Sequence, residues 1–118
     1  MIVRRLLGIL EDVDGVRGSF LVAPGGQLLT HAMPPEFDLF DLQLSAARVA
    51  RILGCSEANG LHAEDGLFDF GDHKLLVREL LRGWLCVLCS AQVNMRSLRL
   101  TARLVARSMP ADLAPAVV

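Results

Sequence analysis

The stretch Gly15-Val16-Arg17-Gly18-Ser19-Phe20-Leu21-Val22-Ala23-Pro24-Gly25-Gly26-Gln27-Leu28-Leu29-Thr30 constrains this chain more than any other. Two short apolar segments, about 17–23 and 27–33, flank a Pro-Gly-Gly turn. Pro24 presets φ at the first central position of such a turn, and Gly25 and Gly26 permit the positive φ that follows. The spacing predicts a β-hairpin. Its glycines carry no phosphate-binding or metal-binding signature, so function is expected to lie in surfaces.

Helical periodicity brackets that hairpin. Residues 2–12 place Ile2, Leu6, Ile9 and Val13 at helical spacing, with Val3, Leu7 and Leu10 widening the stripe and Asp14-Gly15 ending it. After the break at Pro34-Pro35, residues 36–54 read as a long helix stopped at Gly54. Glu36, Asp38 and Asp41 in its first turns and Arg48 and Arg51 in its last would suit the helix dipole. Leu39, Leu42, Ala46, Val49, Ala50 and Leu53 share one broad face, while Phe37, Leu44 and Ile52 fall elsewhere. A helix apolar on more than one side is buried on more than one side. The small residues Ser45, Ala46, Ala47 and Ala50 would admit a second helix closely, which predicts a subunit interface.

Beyond a polar connection at 55–65, three strands are expected at about 66–71, 74–80 and 84–91, with turns at Asp72-His73 and Arg82-Gly83. The last is apolar without alternation, as in a central strand covered on both faces. Asn94 can cap a final helix, 95–107, with Met95, Leu98, Ala102 and Val105 inward and Arg96, Arg99, Arg103 and Arg107 in a basic stripe. Residues 1–107 then form one domain, and 108–118 a loose tail.

Composition narrows the function. Of 118 residues 53% are apolar, above the usual ~45–50%. In so small a chain, with much surface per unit volume, part of that excess is expected at an interface. A net charge of −1 gives no reason to expect nucleic acid. Every apolar run is broken by charge short of the ~18 residues that suggest a membrane span, so no membrane insertion is expected. Glu11, Asp12 and Asp14 interrupt the N-terminal apolar stretch too early for a signal peptide, which predicts a cytoplasmic protein.

Three cysteines are an odd number, against a secreted disulfide framework. Cys86 and Cys89 form a C-x-x-C, but zinc and thioredoxin-type pairs need a tight turn that gathers both sulfurs. Trp84-Leu85-Cys86-Val87-Leu88-Cys89 reads instead as a buried strand, whose side chains three apart point to opposite faces. No metal and no cofactor is expected. His31, His62 and His73 are scattered over a strand end, a loop and a turn without a nucleophile or acid pair around them, so the chain does not read as an enzyme.

The order α-β-β-α-β-β-β-α resembles the roadblock/dynein light chain family, and within it the bacterial MglB-type regulators of small Ras-like GTPases. The resemblance is carried by Gly15-Val16-x-Gly18-Ser19-x-Leu21-Val22, Gly26-Gln27-Leu28-Leu29, Ala46-Ala47-Arg48-Val49-Ala50, and Gly83-Trp84-Leu85-Cys86-Val87-Leu88 leading to Asn94. It covers about residues 2–107. The turn lacks the acidic residue common before the glycine, and Pro34-Pro35 is an unusual lead into the long helix. The resemblance implies a roadblock-like (profilin-like) α+β fold with a five-stranded antiparallel sheet and helices on both faces. It further implies a homodimer in which the middle helices, here 36–54, lie side by side and the third strands, here about 66–71, pair edge to edge. The helix pair would be offered to a small Ras-like GTPase, whose switch regions it reshapes without supplying catalytic groups. Phe37, Phe40, Leu44, Ala47, Arg48, Ala50 and Arg51 are the expected interface residues. A structural adaptor without effect on GTP turnover and a small ligand-binding sensor domain are the alternative readings.

Overall fold

The computed structural model describes residues 2–58, 65–80 and 82–110. Three helices, α1 (Ile2–Glu11), α2 (Leu39–Ala58) and α3 (Met95–Ser108), accompany five strands. The strands are β1 (Val16–Val22), β2 (Leu28–Ala32), β3 (Asp65–Asp69), β4 (His73–Leu80) and β5 (Gly83–Ser90). They form one sheet in the order β2-β1-β5-β4-β3, with every neighbouring pair antiparallel.

β5 is the central strand, and its unbroken apolar run follows from that place. Leu85, Val87 and Cys89 point to one face, where they pack with Leu6, Leu7 and Leu10 of α1 and Leu98, Ala102 and Val105 of α3. Trp84 and Cys86 point to the other, beneath Leu42, Ala46, Val49 and Ala50 of α2. Helices therefore cover both faces of the sheet, two on one side and one on the other. The two thiols lie on opposite faces, as period-2 alternation requires. Cys89 Sγ donates to the Lys74 carbonyl at 3.3 Å. Burial raises both thiols above their ordinary range, Cys86 very strongly, so neither is a ready thiolate.

Close approach fixes two glycines. Gly26 has φ +95°, and a Cβ there would come to 3.3 Å from Ala47 Cα, so the hairpin turn can lie directly on α2. Gly83 has φ +103°, and a Cβ there would collide with the Val22 carbonyl oxygen of the neighbouring strand.

Local chemistry accounts for the helix starts. Asn94 Oδ1 accepts from Ser97 N at 3.1 Å, capping α3 as expected. Asp38 does the same for α2, its Oδ1 accepting from Phe40 N at 3.1 Å. On the α1–α3 side Asp65 ties β3 down, pairing with Arg99 at 3.0 Å and Arg78 at 3.7 Å.

Several expectations are corrected. Ile2 and Ile9 are exposed, and α1 is anchored by buried Leu6, Leu7 and Leu10 with half-buried Val3 packed beside them, because the helix meets the sheet along a narrower arc than its apolar stripe. Gly25 keeps a negative φ and Gly26 alone supplies the positive one. Helix α2 starts after Glu36 and Asp38 and runs through Gly54 to Ala58. Arg48 and Arg51 thus sit in mid-helix, away from the C-terminal carbonyls, and the dipole argument for them lapses. Much of the connection expected at 55–65 and most of the tail expected at 108–118 lie outside the described residues, as does His62.

Candidate functional site

At about 100° per residue, α2 has three faces rather than two. Leu42, Ala46, Val49, Ala50 and Leu53 form the inward one, and all five pack into the core. Asp41, Ser45, Arg48 and Ile52 form a second, along one flank. Phe40, Leu44, Ala47 and Arg51 form a third, pointing away from the sheet, and all four are exposed.

The flank of Asp41, Ser45, Arg48 and Ile52 overhangs a groove of about 420 Å³ between α2 and the sheet. Its floor is Phe20, Leu75 and Leu88 of β1, β4 and β5, and Phe68 and Phe70 close the side nearest β3. Phe37 and Met33 complete the lining from the segment that leads into α2. Phe70 is 64% exposed and Phe40 is 63% exposed, values normal for a lysine and not for a core aromatic. Exposed Leu39, Leu44, Ile52 and Leu67 belong to the same elements. β3 is an outer strand, and no described strand pairs with its free edge. An apolar groove beside an open sheet edge is a binding surface for another chain more readily than a reaction vessel.

The seven expected interface residues are therefore divided. Phe37 and Arg48 line the groove. Phe40, Leu44, Ala47 and Arg51 share the outward stripe. Ala50 is buried beneath the hairpin turn near Gly26, so it belongs to the core and not to a free surface. Sequence reasoning did not weigh Phe68, Phe70 and Ile52 as site residues. A signal was present in Phe68-Asp69-Phe70, where two aromatics two apart share a face of an edge segment.

Among the described residues no histidine or cysteine lines the groove. His31 and His73 stand on β2 and β4, and the Nδ1 of His73 bonds Asp72 at 2.8 Å, which lowers the Asp72 carboxyl below its usual range. Among the described residues no three His, Cys, Asp or Glu side chains come together as a metal site. No described helix is long and apolar enough to cross a membrane.

No family model matches the sequence, and no curated protein matches it. Solved structures do share its architecture. The Roadblock/LC7 domain from Streptomyces avermitilis superposes with a TM-score of 0.72 at 16% identity, over 88% of this chain and 91% of that one. Myxococcus xanthus MglB gives a TM-score of 0.76 at 20% identity, over 91% of this chain and 90% of that one. An MglB with a tetrameric arrangement gives 0.80 at 17% identity, over 96% of this chain and 88% of that one. The chain has the roadblock/LC7 fold. Among its structural neighbours it is similar to the gliding protein MglB.

Proposed function

We propose that this chain is a homodimeric platform that binds a small Ras-like GTPase and modulates its nucleotide cycle, without catalytic groups of its own. The observation that carries the reading is the unfinished sheet face under α2, with its apolar groove beside the open edge of β3, on a fold shared with MglB. A second copy closes that groove and pairs with β3. This removes Phe68, Phe70 and Ile52 from water and satisfies the free edge. That a solved MglB has a tetrameric arrangement supports self-assembly on this fold. The outward stripe of α2 then remains for the GTPase. Phe40 and Arg51 are of the residue types that dominate interface energies, and Arg51 can meet acidic switch-region side chains.

Light scattering, titration against a Ras-like GTPase and a GTP turnover assay together test this. The unmodified protein is expected to be a dimer at micromolar concentration, and Phe70→Glu a folded monomer. Phe40→Ala with Arg51→Ala is expected to keep the dimer while weakening GTPase binding by roughly thirtyfold or more. A compact monomer, or full GTPase binding by the double variant, rejects the corresponding half of the reading. Binding with unaltered GTP turnover leaves an adaptor.

A further inference from the structure

The opposite layer, formed by α1 and α3, carries a surface that the proposed dimer does not use. Within an arc of about 100° on α3 lie Arg103, Arg96, Arg107, Leu100 and Leu104. The three arginines are exposed, and Leu100 and Leu104 are 56% and 63% exposed. α3 contains no acidic residue. None of the three arginines has an ion-pair partner among the described residues, unlike Arg99 at the flank, which holds Asp65. The neighbouring α1 adds exposed Ile2, Arg5 and Ile9. Its end lies beside the start of α3, since Ile9 and Asp12 line one shallow depression with Ser97 and Thr101.

We infer that this two-helix face docks on an anionic lipid surface, lying on the headgroup layer rather than spanning it. Charge decides the sign of the partner. Exposed guanidinium groups without ion-pair partners, on a chain of net charge −1, are a local concentration of positive charge that attracts an anionic surface. Shape and polarity favour lipid over protein. The large aliphatics are interleaved with arginines on convex helix surfaces, and the shallow depression beside them, lined by Asp12 and Asp14, would repel the side chains of an acidic protein. A bilayer offers both halves at once, phosphates at the level of the guanidinium groups and acyl carbons just below for the leucine and isoleucine tips. This face lies across the sheet from the α2 groove, so the inference holds whether or not the dimer forms.

Co-sedimentation of the full chain with vesicles is the test. Binding is expected to vesicles of equal parts phosphatidylcholine and phosphatidylglycerol, to weaken with added salt, and to be absent from pure phosphatidylcholine. Arg96→Gln, Arg103→Gln and Arg107→Gln together should weaken it roughly a hundredfold. Leu100→Gln with Leu104→Gln should also weaken it, which a purely electrostatic contact would not show. All five positions are exposed, and circular dichroism checks that the variants fold. No binding to the anionic vesicles, or binding indifferent to the three arginines, overturns the proposal. Binding to soluble polyglutamate in place of vesicles reassigns the face to an acidic protein.

Discussion

On the α1–α3 side of the sheet, Leu7, Leu10, Leu85, Val87, Leu98 and Ala102 have no solvent exposure at all. On the α2 side the helix anchors Leu42, Val49 and Ala50 keep 5–9%, and a groove opens along the flank. β5 feeds both cores from one continuous apolar run, so the supply of apolar side chains from the sheet does not explain the contrast. Widths do. Five strands at about 4.8 Å spacing make a sheet roughly 20 Å across, and a helix with its side chains is about 10 Å thick. Two helices cover such a sheet, whereas one leaves about half of it open. α2 lies towards the hairpin, with Gly26 against Ala47, so the groove opens towards β3, while Leu75 and Val77 of β4 are still buried beneath the helix. This phenylalanine-lined opening is the surface that the proposed dimer would cover.

The contrast can be broken most directly through stability. Leu85→Ala, on the closed face, should cost about 2–5 kcal/mol, because neighbours packed on every side cannot collapse into the space left. Leu44→Ala, on the outward stripe of α2, should stay within about 0.5 kcal/mol. Urea denaturation of both variants decides the point. Equal losses would mean that Leu44 is packed as closely as Leu85 and that the outward stripe of α2 is not a free surface.

The cysteines sharpen the comparison, since each reports on one face. The Cys86 thiol stays protonated in the native state, while in the unfolded chain it ionises near its ordinary value of 9. The native state then holds more protons, so stability falls as pH rises above about 9, by on the order of 1 kcal/mol for this group at pH 10. The alkaline loss should shrink by that amount in Cys86→Ala. Thiol labelling of the native protein should be slow at both sites but faster at Cys86. Local opening of α2 uncovers Cys86, whereas Cys89 needs the α1–α3 layer to separate. Cys89 labelled first would reverse the ranking of the two faces.

A loss smaller than that of Leu85→Ala is expected at the helix caps. Asn94→Ala should lower global stability by about 1 kcal/mol, since α3 anchors the closed core. Asp38→Ala removes the matching bond from α2, and should appear mainly as faster amide exchange within α2. If both substitutions loosen the whole domain equally, the two faces unfold as one unit.

How far the architecture could be read in the chain differs from element to element. Helix α3 was legible from cap to last turn, because Asn94, the spacing of Leu98, Ala102 and Val105, and the arginines between them all give the same answer. The meander and the opposite-facing cysteines were legible because strand alternation admits no other arrangement. The ends of α2 were not. Gly54 reads as a stop, yet added side-chain volume there would meet nothing within 4 Å, and the helix continues past it. Of the expected interface, Phe40, Leu44, Arg48 and Arg51 are outside the core, as helical spacing indicated, whereas Phe37 precedes the helix and packs against the core. Spacing could not divide them between groove and outward stripe, nor place Ala50 beneath the hairpin turn.

By itself the sequence determined the element order, the hairpin at Pro24-Gly25-Gly26, the buried strand of Cys86 and Cys89, and the excess of apolar surface on α2. These follow from local dihedral preference and from periodicity, which act within one element. Only the tertiary structure decided which half of the sheet α2 covers. It alone brought Phe68 and Phe70 opposite Ile52, and it left Leu100 and Leu104 among the arginines on an open face. Such outcomes depend on the relative widths and positions of whole layers, and no periodicity within a single helix or strand records the position of the next layer.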